Sequence, residues 1–544
     1  MVAIRGTGVS SGIALGKLVY YKRTVNVSDK RAVFDSSVEL TRWKSASEKA
    51  KKQLAILSER TRRDVGDEAA ELFETHQLML DDLDYTERIS SLIVESRISA
   101  EAAVETAGKE FSEMFSAMDD DYMKARSVDV LDISRRVVDI LCDNQSSFDL
   151  RGEQSIIVAD DLTPSETVQL DKSLVIGFVL SDGNANSHTA ILARTLGIPA
   201  IIGAKAEWRN EYEGRQIMID GSVGYIVIDP DSTTKEYLLK KQQEEKAVRT
   251  MLEKLKGCPD VTLDGKEIKV YANITHPADT DAVIANDARG IGLFRSEFLY
   301  LESDDYPTEE TQFEAYKYVV QRMNGQRVII RTLDIGADKK IDYFGLEKEV
   351  NPALGMRALR LCLSRPEIFK TQLRALYRAS AYGKLAIMLP LVTSLWEVQE
   401  VKRMCEGVKK SLQKDMLPYD EHLEIGIMIE TPAAVMIAPE LAREVSFFSI
   451  GTNDLLQYTV ALDRQSTAAL DRFQDNKHPA LLKMIKMTVD AAHDAGIWAG
   501  ICGEIAADSS MTEVLLKLGV DELSVSPRAV LPVRNVVRQT LVTK

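Results

Sequence analysis

The stretch Val445-Ser446-Phe447-Phe448-Ser449-Ile450-Gly451-Thr452 reads as a buried strand: short, apolar, rich in aromatic and β-branched residues, and closed by a glycine. Its weight comes from company. Seven more runs of this kind, Ile268–Ile274, Gly290–Glu297, Arg327–Ile335, Leu385–Val392, Glu424–Thr431, Trp498–Ile505 and Glu522–Ser526, are spaced through the C-terminal half, each followed by a helical pattern. Eight β/α repeats in about 280 residues predict a (β/α)8 TIM barrel over residues 258–544. Polar residues gather at the C-terminal ends of five of these runs: Arg295 and Glu297, Arg331 and Asp334, Glu430, Asn453 and Asp454, Cys502 and Glu504. In this fold that rim carries the active site.

Working towards the N-terminus, Ser232 to Lys256 is rich in Lys, Glu, Gln and Leu and predicts a linker helix over 231–257, capped by Ser232 or Thr233 and stopped by Gly257. Before it lie the short β-rich runs Ser155–Ala159, Leu174–Leu180, Gln216–Asp220 and Tyr225–Ile228. Gly12–Tyr21 has the same texture, so one α/β domain is expected over 1–21 and 147–230. The block between, 22–146, differs: all fifteen prolines lie at Pro164 or later, and only Gly66 and Gly108 interrupt Lys17 to Arg151. Good helix formers without breakers predict an inserted bundle of long helices. Within it, Leu72, Phe73, His76, Met79 and Leu80 fall at helical spacing over Glu68–Leu80, an amphipathic helix packed by one apolar face.

The 544 residues suffice for about three domains. Apolar residues at 45% and charged residues at 28% are those of a folding chain, not a disordered one. With 83 Asp and Glu against 68 Lys and Arg, the net charge of −15 argues against a nucleic-acid surface. The five cysteines are scattered and form no C-x-x-C pair, which predicts neither disulfides nor a zinc site and suits a reducing cytoplasm. No membrane-spanning or export segment is expected.

At the rim, Glu430 and Asp454 offer two hard carboxylates without a nearby histidine, a set that suits Mg2+, or Mn2+, better than zinc. Arg295 and Arg331 bring planar forks that match phosphate and carboxylate oxygens. A small anion bridged to a divalent metal is the expected ligand. Cys502 would place a thiol over it, as proton donor or as nucleophile. Each residue also has a bland reading, as a packed thiol, an ion-pair network or a helix cap; their convergence on one rim favours chemistry.

A second signal is Ser187-His188-Thr189-Ala190-Ile191-Leu192-Ala193-Arg194, with Gly197 and Pro199 ending a short helix whose first turn holds His188. A phosphoryl group on that imidazole would meet backbone donors and a favourable dipole. A capping or packing role is the alternative.

These residues, with Ile198-Pro199-Ala200-Ile201-Ile202-Gly203, resemble the phosphohistidine domain shared by enzyme I of the bacterial sugar phosphotransferase system, phosphoenolpyruvate synthase and pyruvate phosphate dikinase. Gly292–Leu299, Arg331–Lys339, Asn351–Arg357 and Phe447–Thr459 resemble enzyme I in particular, so the likeness covers nearly the whole chain. It implies phosphoryl transfer from phosphoenolpyruvate to His188, release of pyruvate, and passage to the carrier protein HPr. It also implies that Arg295, Arg331, Asn453, Asp454, Arg464, Lys339 and Arg357 bind substrate, that Glu430 and Asp454 hold Mg2+, and that Cys502 protonates the enolate. Thr189 and Arg194 would neighbour the phosphohistidine. The helical insertion would bind HPr, with Phe73-Glu74-Thr75-His76 facing it, the α/β domain would swivel, and the barrel would form a homodimer. Two departures are Asn184-Ala185 after Gly183, where the family has a second glycine, and the end at Lys544, which predicts an abbreviated last barrel helix.

A synthase or dikinase would need an ATP-grasp domain, and the first 150 residues carry no Gly-rich nucleotide loop. An inactive regulator on the same fold is the other alternative, against which the intact set of rim residues speaks. Asp67, Glu68, Glu71, Glu74, Asp81, Asp82 and Asp84, without a Lys or Arg between Val65 and Tyr85, predict an acidic surface that steers a basic partner.

Overall fold

The structure is a computed structural model. It describes all residues except 22–34, 65–66, 119–120, 144–151, 163–165, 167–169, 171–172, 183–189, 191–192, 195–196, 207, 209, 338, 340, 464–474, 476 and 543–544. The chain divides into two compact units, residues 1–248 and 249–544.

The first unit contains an eight-stranded sheet: β1 (Val2–Arg5), β2 (Thr7–Ser10), β3 (Ile13–Tyr21), β4 (Ser155–Ala159), β5 (Val175–Leu180), β6 (Ala200–Ile202), β7 (Gln216–Asp220) and β8 (Tyr225–Ile228). The order is β1-β8-β7-β3-β4-β5-β6-β2. Strands β3, β4, β5 and β6 run parallel, with Lys17 beside Ser155 and Phe178 beside Ala200. Thus β3 and β4 are neighbours in the sheet although the helical block separates them in sequence, the pattern of an insertion. The sequence missed β1, β2 and β6. They are three or four residues long, and β1 and β2 form the two edges, mostly exposed, where apolar alternation is not required.

The inserted helices are α1 (Ser36–Asp64), α2 (Asp67–Leu80), α3 (Leu83–Val94), α4 (Ala100–Ser116) and α5 (Asp121–Leu141). Their shared core includes Trp43, Leu54, Phe73, Ile89, Val104 and Ile133. Asp82 and Ser99 cap α3 and α4 by accepting from Tyr85 N and Ala102 N. One expectation is corrected here. Phe73 and His76 are buried in the bundle, His76 with Nε2 3.2 Å from Asp129, so they do not face a partner. Burying this face is what holds α2 to α1 and α5.

Helix α6 (Ser232–Glu253) lies within the stretch where a linker helix is expected. Its cap is Asp231, not Ser232 or Thr233: the Asp231 carboxylate accepts from Thr234 N at 2.8 Å. Gly257, at φ +77°, follows where the chain leaves helical conformation. Leu238 of α6 packs on Ile13 and Met218, and Lys241 pairs with Asp220.

The second unit is a closed parallel barrel of β9 (Lys269–Ile274), β10 (Gly290–Arg295), β11 (Arg327–Arg331), β12 (Leu385–Leu389), β13 (Glu424–Ile429), β14 (Phe447–Ile450), β15 (Trp498–Ile501) and β16 (Glu522–Val525). All eight expected runs are strands, and the molecule is α/β as predicted. Seven of the eight ladders stop one to four residues before their apolar runs end, where the chain leaves the strand to build the mouth, and β9 ends with its run at Ile274. Inside, Leu293, Ile329, Ala386, Met388, Met428, Phe447 and Cys502 pack together, and Phe447 stacks on Trp498 at 4.7 Å. The last helix, Val530–Gln539, has ten residues. Its fully buried Arg534 binds Asp260, Asp287 and the carbonyl of Leu255. All five cysteines are free, and no helix among the described residues is long and apolar enough to cross a membrane.

Candidate active site

A cavity of about 620 Å³ opens at the C-terminal ends of the barrel strands. It is lined by Arg295, Arg331, Lys339, Arg357, Glu430, Asn453, Asp454 and Cys502, eight of the ten predicted site residues. The other two, His188 and Arg464, lie outside the described residues, as does Thr189. Each lining residue has a local reason to be there. Arg295 and Arg331 end their strands, and Glu430 directly follows β13. Asn453 and Asp454 occupy the first turn of the helix Thr452–Val460, which begins two residues after β14. A negative side chain is favoured at that position.

Arg331 and Arg357 are held by carboxylates. Arg331 donates to Glu297 at 2.8 Å and pairs with Asp334 at 2.9 Å, while Arg357 pairs with Asp334 at 3.0 Å. Below them, Gln372 donates to Ser296 at 3.0 Å and accepts from Leu333 N at 3.0 Å, and Ser296 donates to the carbonyl of Arg331 at 2.7 Å. This fixes the guanidinium plane through its own backbone. Burial would lower the Arg331 pKa, but Glu297, Asp334 and Glu430 outweigh it and raise it, so the fork stays charged. Asn453 and Glu504 clasp each other, Asn453 Nδ2 donating at 3.2 Å and Glu504 N donating back at 3.1 Å.

Glu430 is 1% exposed and accepts from Leu391 N at 2.5 Å. Burial, then Asp454 and Asp334, push its pKa up to about 8. The space it occupies exists because residue 451 is glycine: a Cβ there would stand 2.9 Å from Glu430 Oε2. Two converging carboxylates, one costly to ionise alone, form a pocket that a cation would complete. Among the described residues no three His, Cys, Asp or Glu side chains form a ready-made metal cage. That fits Mg2+, which takes one or two carboxylates and fills its shell with water and substrate oxygens.

Cys502 is buried beneath the cavity floor, and burial pushes its thiol up to about 12, with Ser449 opposing and Glu522 adding to the shift. Such a thiol holds its proton at neutral pH. It suits a proton donor, not a nucleophile.

The sequence did not single out His276, which lines the cavity, bonds Glu302 at 2.8 Å and packs on Phe298. It follows β9, a strand end outside the polar set. Nor did it find Gln372, which supports the site from a helix far along the chain.

In the first unit, the segment carrying His188 follows the C-terminal end of β5, the edge where open parallel sheets bind ligands. Ala193 is buried, Ser10 donates to its carbonyl at 3.3 Å, and Gly197 has φ +65°.

Comparison with known proteins adds to this geometry. Residues 249–542 match the family described as PEP-utilising enzyme, PEP-binding domain; residues 5–126 match its N-terminal domain and residues 151–224 its mobile domain. A phosphoenolpyruvate-protein phosphotransferase of Priestia megaterium is 41% identical over 537 residues, 98% of this chain and 94% of that one. The proteins of the same name from Bacillus subtilis and Staphylococcus carnosus are each 40% identical over 98% of this chain, covering 94% and 93% of their own lengths. With three matching domains in order and such identity from end to end, this chain belongs to the phosphoenolpyruvate-protein phosphotransferase family of PEP-utilising enzymes.

Proposed function

We propose that the protein transfers the phosphoryl group of phosphoenolpyruvate to its own His188 and from there to a histidine of the carrier HPr, releasing pyruvate, as the first step of sugar uptake by the phosphotransferase system. The observation that carries this reading is the convergence of Arg295, Arg331, Arg357, Glu430, Asp454 and Cys502 on one cavity. The arginine forks bind the phosphate and carboxylate of the substrate, joined by Arg464 and Lys339, and Asn453 orients them. Glu430 and Asp454 hold Mg2+, which when bound neutralises charge on the phosphoryl oxygens. The P–O bond to the enol breaks and a P–N bond to His188 forms. The enolate left behind takes a proton at its methylene carbon from Cys502.

The domain limits follow: 1–21 and 147–230 for the phosphohistidine domain, 22–146 for the HPr-binding insertion, 231–257 for the linker helix, 258–544 for the substrate barrel. A swivel of the phosphohistidine domain serves two partners, substrate and HPr. On the insertion, Leu78 and Leu83 are large exposed apolar side chains within the acidic stretch, a surface suited to HPr. A cytoplasmic homodimer paired through the barrel completes the proposal.

Incubation with labelled phosphoenolpyruvate and Mg2+ tests it. Wild type acquires an acid-labile, base-stable label, and His188→Ala does not. A label on that variant equal to wild type overturns the acceptor; none on wild type overturns the reaction and favours an inactive regulator.

A further inference from the structure

We propose that Glu522 is the proton source that restores the Cys502 thiol after each turnover, relaying through the Ser449 hydroxyl from the barrel interior. The inference rests on the reading of Cys502 as the acid that protonates the enolate.

The strand register sets the three groups at adjacent levels. Glu522 of β16 aligns with Gly500 of β15, and Gly500 aligns with Ser449 of β14. Cys502 is two residues beyond Gly500, one level nearer the substrate and on the same face. The Glu522 carboxyl, 1% exposed, fills space that two glycines leave open: a Cβ on Gly500 would stand 1.8 Å from Oε2, and one on Gly292 would stand 2.3 Å from Oε1. Neither Glu522 Oε1 nor Ser449 Oγ has a geometrically formed hydrogen bond among the described residues. The Cys502 thiol donates to the carbonyl of Ile450, the residue after Ser449, at 3.8 Å; the Ser449 hydroxyl favours the thiolate and the Glu522 charge opposes it.

The groups facing Glu522 are Lys269 and Tyr271 of β9, Arg327 of β11, Cys502 just past β15 and Ser524 of its own strand. A structural ion pair would spend those cations on Glu522. Instead Arg327 pairs with Glu424 at 2.7 Å, and no salt bridge reaches Glu522 among the described residues. Burial pushes Glu522 up to about 8, with Lys269 and Arg327 opposing, so it holds a proton at neutral pH.

The steps balance. The Cys502 S–H bond breaks as the C–H bond of pyruvate forms, leaving a thiolate. Ser449 gives its hydroxyl proton to the sulfur and takes the Glu522 proton, so that the net change is loss of the carboxyl O–H and gain of S–H. The carboxylate is then stabilised by Lys269 and Arg327. Both are half-buried, as is Trp498 beside them, so water at the N-terminal end of the barrel returns the proton.

The test compares rapid-quench phosphorylation of the enzyme with steady-state pyruvate release, with and without HPr, from pH 6 to 9.5. In wild type the steady-state rate falls as pH rises through about 8, where the proton source ionises. Glu522→Gln is expected to keep the phosphorylation burst, to lose about tenfold or more in steady-state rate, and to lack the fall near that pH. A wild-type rate and profile in this variant overturn the proposal, and so does an equal loss in burst and turnover. Should Glu522→Gln not fold, Ser449→Ala reads the same ratio, and wild-type turnover there is the overturning result. Absence of a burst in wild type instead defeats the proposed reaction, so the two failures are told apart.

Discussion

The barrel mouth and the helical bundle place charge in different ways. At the mouth, Arg331 holds Glu297 and Asp334 in a buried cluster, and nearby Glu430 accepts a bond from a backbone N–H. Burial first, and then Asp454 and Asp334 beside it, push its pKa up despite Arg331. In the bundle, two of the acids that looked unopposed in sequence find bases on the neighbouring helix: Glu74 meets Arg62 and Asp81 meets Lys51 at 2.9 Å, both on α1, while Asp82 is a helix cap. A site that awaits a ligand keeps electrostatic work undone; a surface that only meets a partner largely finishes it first.

Three changes would break or sharpen that contrast. The largest effect is expected from Arg331→Met, which leaves Glu297 and Asp334 facing each other in a buried site. Turnover of phosphoenolpyruvate should fall roughly a thousandfold, about 4 kcal/mol, and Arg331→Lys should not restore it, since an ammonium lacks the fork. Full activity of the lysine variant would reduce Arg331 to a point charge. Next comes Phe73→Ala, which opens a hole in the bundle core and should destabilise it by about 3–5 kcal/mol in denaturant titration. Calorimetric binding of phosphoenolpyruvate to the barrel should be unchanged; a parallel loss would tie the two regions together. The smallest effect is expected from Asp81→Asn. Thermal stability should hardly move, as for other exposed ion pairs, while association with HPr slows about twofold at low salt and less at high salt. An on-rate that ignores salt in wild type would end the steering idea.

The sequence made the barrel legible because the same period recurs eight times, and one strand too many or too few would have spoiled the count. It made the rim legible because strand ends are where side chains such as Arg331 and Glu430 can meet. The supporting groups were not legible, since each is defined by a neighbour distant in sequence. Gln372 looks like any helix residue until it is seen beneath Ser296, and Glu522 looks like an ordinary strand start until Gly292 and Gly500 are seen to surround it. The neighbours of the acidic stretch were hidden for the same reason. Its partners, Arg62 and Lys51, lie one helix earlier. Phe73 and His76 were correctly placed on a helix, yet composition could not tell which neighbour their face would bury against.

The contacts of Arg534 carry a consequence for synthesis on the ribosome. Strand β16 pairs with β9, and Arg534 on the last helix secures Asp260 and Asp287 on either side of β9. The barrel's first strand therefore lacks one neighbour until residues 522–525 have been made, while the strands of the first unit's sheet all lie before residue 229. The nascent chain can complete the sheet of its N-terminal unit early and carries an open, apolar partial barrel until β16 has emerged. Closure of the barrel and the buried Arg534 contacts on both sides of β9 therefore come together, after the other seven strands exist.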